Sequence, residues 1–318
     1  MPRSYVQVKG VVQGVGFRPF VYRLAHRLNL AGFVRNTSFG VEIEIEGSAR
    51  RIKEFLKRLS LEKPPAAIIE LLTAKQIPTR KENRFVIKNS KSAQGFTQIS
   101  PDIATCKDCL KEFYSPVDRR YRFAFINCTN CGPRYSIIFN TPYDRTQTSM
   151  REFKMCPDCK KEFEDVYNRR FHAQPDCCFV CGPEFSLYRI DGKKIKTKDP
   201  IGEAINLLKN GEIIAIKGIG GFHIACDATN CDTINRLRTL KIRPTKPFAI
   251  MVNEKNLKRI VKLSWEEKKL IKSPIAPIML LEKKDGLICE EVAPNNPYLG
   301  VMLHYAPVHY LLFEKIPL

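Results

Sequence analysis

No stretch of the 318-residue chain approaches the roughly 18 uninterrupted apolar residues that a membrane-spanning helix requires. The opening, MPRSYVQVKG, alternates apolar and polar residues and lacks the apolar stretch of a secretory signal, so a cytoplasmic address is expected. Glycine and proline, at 17 and 21 residues, are too few for a fibrous or low-complexity chain. With 44% hydrophobic and 27% charged residues the composition is globular, and the length suits two or three domains, each with its own core. That size excludes a small disulfide-stapled scaffold.

Acidic residues are also in deficit: 33 Asp and Glu face 53 Lys and Arg, a net charge of +20. An anionic partner is expected, whether phosphorylated metabolite, nucleotide or nucleic acid. The excess is uneven. Residues 1–95 carry 18 basic against 7 acidic side chains, residues 96–190 carry 14 against 12, and residues 191–318 carry 21 against 14. The middle third, where the cysteines gather, is the least basic, which argues against a cysteine-rich nucleic-acid binder.

Eight of the 12 cysteines form four Cys-x-x-Cys pairs: Cys106/Cys109, Cys128/Cys131, Cys156/Cys159 and Cys178/Cys181. In a cytoplasmic chain these read as metal ligands rather than disulfides. Eighteen residues separate the first two pairs and also the last two, the spacing at which two knuckles close a tetrahedral Zn²⁺ site. An internal repeat at an offset of 50 residues reinforces this. CKDCLKEF at Cys106–Phe113 returns as CPDCKKEF at Cys156–Phe163, Arg119-Arg120-Tyr121 as Arg169-Arg170-Phe171, and CGPRYS at Cys131–Ser136 as CGPEFS at Cys181–Ser186. Two structural zinc ions follow, since four cysteines per metal leave no open position for catalysis. Two tetrathiolate zinc sites at −2 each would lower the formal charge to about +16 and turn the middle third acidic. Cys177 reads as a spare thiol, and Cys226, Cys231 and Cys289 as buried small residues.

In the first ninety residues, Tyr5–Val12, Gly32–Thr37, Val41–Glu46, Ile69–Ile77 and Arg84–Lys88 read as strands. Helical spacing recurs at Phe20, Val21, Leu24, Ala25 and Leu28, and at Ile52, Phe55, Leu56 and Leu59. The order is βαββαβ with an extra strand, favouring a ferredoxin-like α/β sandwich. Between the first strand and helix lies VQGVGFR, Val12–Arg18. Two glycines let backbone N–H groups converge on an anion beside a helix N-terminus, although an ordinary strand-to-helix turn has the same composition.

Followed by GFVRN, Gly32–Asn36, this segment resembles the signature of the acylphosphatases over nearly all of residues 1–90. The resemblance implies that Gln13, Gly14, Val15, Gly16, Phe17 and Arg18 bind the phosphate, with Arg18 as its charge partner, and that Asn36 orients the attacking water. Phosphoryl transfer from an acyl phosphate needs chiefly positioning and charge neutralisation, which these residues can supply.

In the last third, Ile201–Lys209 reads as a helix, Glu212–Lys217 as a strand entering the glycine-rich KGIGGFH, and Thr233–Leu240 as a helix leading into KIRPTKP, Lys241–Pro247. By composition that loop is a polyanion clamp or merely a solvated basic loop. GEIIAIKGIGGFHIACDA followed by KIRPTKPFAIM resembles the YrdC/Sua5 family, implying a nucleotide site at Lys241, Arg243, Lys246, Gly220, Gly221 and His223, although a histidine in this setting can equally be structural.

The order of the three parts resembles the HypF carbamoyltransferases of [NiFe]-hydrogenase maturation. The expected organisation is α+β multidomain: an acylphosphatase-like domain over residues 1–92, a duplicated four-cysteine zinc-finger domain over 104–187, and a C-terminally incomplete YrdC-like α/β domain over 198–318. By that resemblance carbamoyl phosphate and ATP (with Mg²⁺) are substrates, and a HypE-like maturation protein is the partner. A further transfer domain would lie outside the chain. LHYAP at Leu303–Pro307 departs from the family's LPYTP. A threonylcarbamoyl-adenylate synthase would explain only the last third, and a zinc-ribbon RNA binder only the zinc and the charge.

Overall fold

A computed structural model describes residues 1–91, 97–284 and 286–316. The expected boundary at residue 92 and the terminal Leu318 lie outside the described residues. By internal contacts the chain divides into two compact units, one of Met1–Asp102 with Ile126–Gly182 and the other of Ile103–Phe125 with Pro183–Leu318.

The first unit is built on β1 (Arg3–Val11), α1 (Phe17–Arg27), β2 (Ala31–Thr37), β3 (Gly40–Glu46), α2 (Ala49–Leu61), β4 (Ile68–Ile77) and β5 (Phe85–Ile87). Strand order is β4-β1-β3-β2-β5, antiparallel except that β5 runs parallel to β2. Alternation decides which face is covered. Val6 and Val8 of β1 and Val41, Ile43 and Ile45 of β3 are fully buried, whereas Glu42 and Glu44 between them pair with Arg35 and Arg3. The helices close over the apolar face through Phe20, Val21, Leu24 and Ala25 of α1 and Ile52, Phe55 and Leu59 of α2. Ser48 caps α2 by accepting from the Arg51 amide at 3.4 Å. The βαββαβ order and the extra strand are those expected from the sequence.

In the same unit the helix Pro157–Glu164 carries the second finger, opened by Cys156 at its N-cap and Pro157 in its first turn. Its segment packs against α1: the Tyr22 and Phe171 rings lie 5.7 Å apart, and Arg23 Nη1 donates to the Val166 carbonyl at 3.5 Å.

The second unit has a three-stranded sheet in which Tyr298–Leu303 runs parallel to Ala249–Val252 and antiparallel to Met279–Glu282. Its core includes Ile234, Val252, Leu257, Ile260, Leu281 and Val301. A hairpin pairs Ile214–Lys217 with Phe222–Ala225, and the helices Pro200–Lys209 and Cys231–Leu240 are capped by Asp199 and Asn230. The helix Lys107–Tyr114 belongs here. The Thr105 amide and hydroxyl both donate to the Tyr305 carbonyl, at 2.9 and 2.8 Å, and Phe113 packs against Tyr310. By contacts Ile103–Phe125 groups with this unit and Ile126–Gly182 with the first.

Two cysteine readings are corrected. Cys231 is exposed, and it forms a disulfide with Cys289 across a separation of 58 residues. The N-terminus of one helix and the start of a 3-10 turn bring the pair together, and no local spacing signals it. Cys226 is a half-buried free thiol pushed up to about 11 by burial and then by Asp227.

Candidate active site

The turn between β1 and α1 needs its glycines for two reasons. Gly14 and Gly16 have φ of 72° and 75°, conformations that L side chains rarely adopt, and Gly16 is the N-cap of α1. A Cβ on Gly14 would also meet Arg134 Cδ at 3.0 Å, and one on Gly16 would meet Thr129 Cβ at 3.3 Å. Val15 and Phe17 anchor the loop in the core. The Gln13 amide donates to the Thr37 and Gly40 carbonyls at 2.8 and 3.0 Å and accepts from the Tyr143 amide at 2.9 Å, so its side chain fixes the loop between strands. The first turn of α1 carries no acidic residue, leaving the positive end of its dipole uncompensated.

Arg18, 8% exposed, and Asn36, 1% exposed, meet beside this loop. With the Asn36 amide oriented so that both of its atoms are satisfied, its oxygen accepts from Arg18 Nε at 3.2 Å and Nη2 at 3.3 Å. Arg18 also donates to Ser90 Oγ and to the Tyr143 carbonyl, each at 3.3 Å, and pairs with Asp144 at 2.9 Å.

The opposite wall comes from the finger segments and was missed in the sequence. Thr129, Arg134, Tyr143, His172 and Gln174 line the same cavity as Gly14, Gly16, Arg18 and Asn36. Arg134 Nε donates to the Gly14 carbonyl, while its Nη2 donates to the Cys128 and Thr129 carbonyls at 2.9 and 3.0 Å, clamping the loop to the first finger's closing knuckle. His172 sits at φ 55° and its amide donates to the Phe163 carbonyl at 3.0 Å. Fifty residues earlier Arg122, at φ 57°, donates to the Phe113 carbonyl at 2.8 Å, so the repeat itself marks this turn. Burial, and then the charge of Arg18, lower the His172 imidazole to about 4, against the opposing pull of Asp144.

Two groups of four sulfurs gather as the spacing predicts: Cys106, Cys109, Cys128 and Cys131 in one, Cys156, Cys159, Cys178 and Cys181 in the other, each within 4.8 Å. Tetrahedral zinc with bonds of about 2.3 Å requires sulfurs about 3.8 Å apart. The pairs Cys156/Cys178, Cys178/Cys181 and Cys159/Cys181 stand at 3.7, 3.9 and 3.6 Å, and Cys128/Cys131 at 3.8 Å. The donor sets fit structural zinc. Burial would raise the Cys156 thiol, but hydrogen bonds from Cys159 and the neighbouring thiols bring it down to about 7, favouring the thiolate that a metal takes. Arg120 and Arg170, matched in the repeat, are 1% and 3% exposed, and Arg170 pairs with buried Asp176 at 3.4 Å. Buried in this way, they offer nothing to RNA.

In the second unit the nucleotide candidates occupy separate settings. Gly220 and Gly221 lie in the hairpin turn closed by the Gly218 amide on the Gly221 carbonyl at 2.8 Å, and His223 stacks on His309 with ring centres 5.5 Å apart. Lys241 ends the helix Cys231–Leu240. Arg243 turns back on its own loop, donating to the Lys246 carbonyl at 3.1 Å and to that of Pro247. Arg238, missed in the sequence, organises this loop through the Arg243, Pro244 and Lys246 carbonyls.

Comparison with known proteins agrees with this division of parts. Residues 4–87 match the acylphosphatase family, residues 105–138 and 155–188 the HypF finger, and residues 206–318 the Sua5/YciO/YrdC family described as telomere recombination. Acylphosphatase from Caldivirga maquilingensis is 49% identical over 70 residues, 21% of this chain and 73% of that protein. Carbamoyltransferase HypF from a Synechocystis species is 49% identical over 316 residues, 98% of this chain and 41% of that protein. A crystal structure of full-length HypF in the phosphate- and nucleotide-bound form superposes with a TM-score of 0.94 at 44% identity, covering 99% of this chain and 41% of that one. The chain thus spans about two-fifths of the length of these HypF relatives.

The fold and the pocket define an acylphosphatase domain carried together with HypF-type fingers and a Sua5/YciO/YrdC-type α/β segment. Over nearly its whole length the chain is similar to part of the HypF carbamoyltransferases.

Proposed function

We propose that the chain performs the early chemistry of a cytoplasmic HypF-type carbamoyltransferase: carbamoyl phosphate is hydrolysed at Arg18 and Asn36, and the carbamate is joined to AMP from ATP at the Sua5/YrdC-type segment. The observation that carries this reading is the contact between Arg18 and Asn36 beside a glycine loop at the start of α1.

In the first reaction the phosphoryl group lies against the loop of residues 13–18, and Arg18 neutralises its oxygens. A water held by Asn36 forms the new O–P bond as the bond from phosphorus to the carbamoyl oxygen breaks. Carbamate leaves with the electron pair, and the water's proton passes to phosphate or solvent. In the second, a carbamate oxygen bonds to the α-phosphorus of ATP and pyrophosphate leaves. Lys241 and Lys246 supply charge to the nucleotide phosphates, whereas Arg243, occupied by its own loop, stiffens the segment. Gly220, Gly221 and His223 complete the proposed nucleotide site, and Mg²⁺ would accompany ATP. The carbamoyl group is destined for the terminal cysteine of a HypE-like maturation protein. The zinc ions hold the fingers and take no part in either step.

Incubation with carbamoyl phosphate and ATP, following phosphate and pyrophosphate separately, tests the reading. Phosphate should appear without ATP, and pyrophosphate only when both substrates are present. Absence of phosphate release would refute the first step.

A further inference from the structure

Through its ion pair with Arg18, Asp144 sets a negative charge beside a loop suited to receive one. Asp144 stands at the N-cap of the 3-10 turn Arg145–Gln147, yet its side chain makes no capping bond and instead pairs with Arg18 at 2.9 Å. It takes up the charge-assisted contact that a phosphoryl oxygen needs. The neighbouring cations are committed elsewhere. Arg145 donates to the Gln174, Asp176 and Phe153 carbonyls at 2.7 to 2.8 Å, and the Arg134 guanidinium serves the Gly14, Cys128, Thr129 and Pro133 carbonyls. The Gln174 amide is turned to the His172 carbonyl at 2.8 Å.

A phosphoryl dianion entering the loop has to take Arg18 from Asp144. The released carboxylate, 28% exposed and beside two new negative charges, is then short of a donor, and an unmet charged acceptor costs affinity. We infer that Asp144 is a specificity-determining residue that exchanges Arg18 for an N–H of the substrate's acyl end. The pocket thereby selects carbamoyl phosphate, whose amino group brings two N–H donors, over acetyl phosphate, whose methyl group brings none. This rests on the hydrolysis proposed above and adds the basis of its selectivity. Both substrates present the same phosphate to Arg18, so discrimination arises where they differ, as in sites whose built hydrogen-bond partner rejects an analogue lacking the group. Neutral His172 brings no positive charge to replace Arg18.

The test compares kcat/KM for carbamoyl phosphate and acetyl phosphate in the zinc-loaded full chain, in the wild type, Asp144→Ala and Asp144→Asn. The wild type should favour carbamoyl phosphate, and Asp144→Ala should lower that ratio about tenfold or more. Asp144→Asn, whose amide oxygen still accepts an N–H, should fall between them. Calorimetric titration with inorganic phosphate reads the exchange without turnover: loss of the carboxylate should tighten binding about tenfold. An unchanged substrate ratio in Asp144→Ala overturns the inference whatever the absolute rates do, and so does unchanged phosphate affinity. If the alanine variant loses zinc, Asp144→Asn decides by the same ratio. A wild type that hydrolyses both substrates equally removes the selectivity and leaves the hydrolysis intact, whereas one that hydrolyses neither removes both.

Discussion

Arg18 and Asn36 divide the work of the pocket by charge. Arg18 neutralises a ground-state dianion, so Arg18→Ala should chiefly raise KM, and Arg18→Lys should not restore it because a point charge lacks the planar fork. Asn36 positions a neutral water, so Asn36→Ala should lower kcat about a hundredfold with a smaller change in KM. Steady-state kinetics with acetyl phosphate read both, and full activity in either alanine variant would remove that residue from the mechanism. His172 adds a pH dependence. Its imidazole titrates near 4 in the folded chain against an ordinary 6.5, so between these values the unfolded chain takes up a proton that the folded one refuses. Its contribution is therefore complete above about pH 6.5 and is lost as pH falls towards 4, on the order of 3 kcal/mol in all. Denaturant titrations across that range should show the loss, and His172→Gln should flatten it. Arg18 and Asn36 were legible in the sequence because each lies in a contiguous motif. Asp144 and His172 were not, because their roles depend on how a distant segment folds over the loop, and an aspartate after a tyrosine carries no pattern of its own.

At the scale of elements, spacing was the strongest signal. The eight paired cysteines were readable because a knuckle fixes its ligands locally, whereas the Cys231–Cys289 pair, 58 residues apart, has no local geometry to announce it. Alternation in β3 and the 3.6-residue spacing of Ile52, Phe55 and Leu59 gave the sheet and α2 directly, since one face of each is buried. The basic loop was only half legible. Its charges were plain, but the return of Arg243 onto its own carbonyls and the anchoring by Arg238 depend on the helix before it. The fingers yield a prediction of this scale. Metal analysis should find two zinc ions per chain, with the eight ligand thiols unreactive until a chelator is added. Because Arg134 ties the Cys128 knuckle to Gly14, chelation should also lower the preference for carbamoyl over acetyl phosphate, although zinc touches no substrate. A substrate ratio unaltered after complete zinc loss would separate the fingers from the pocket.

At the scale of the molecule, composition excluded membrane spans and fibres, and among the described residues no helix is long and apolar enough to cross a membrane. The order of the parts was readable, but the compact units were not, because the first of them is discontinuous in sequence. That discontinuity has a consequence in time. The sheet and both helices of the acylphosphatase fold are complete once β5 has been made, whereas Asp144, the partner of Arg18, and His172 of the cavity wall are synthesised about 57 and 85 residues later. At about 5–20 residues per second the ribosome needs roughly 3–17 s to cover that interval. For that interval a nascent chain carries its phosphate loop uncovered, with Arg18 unopposed. Chains stalled after residue 91 should therefore hydrolyse acetyl and carbamoyl phosphate alike, and chains stalled well beyond residue 182 should discriminate. Equal discrimination at both lengths would show that selectivity is present from the first domain's birth rather than acquired as the rest emerges.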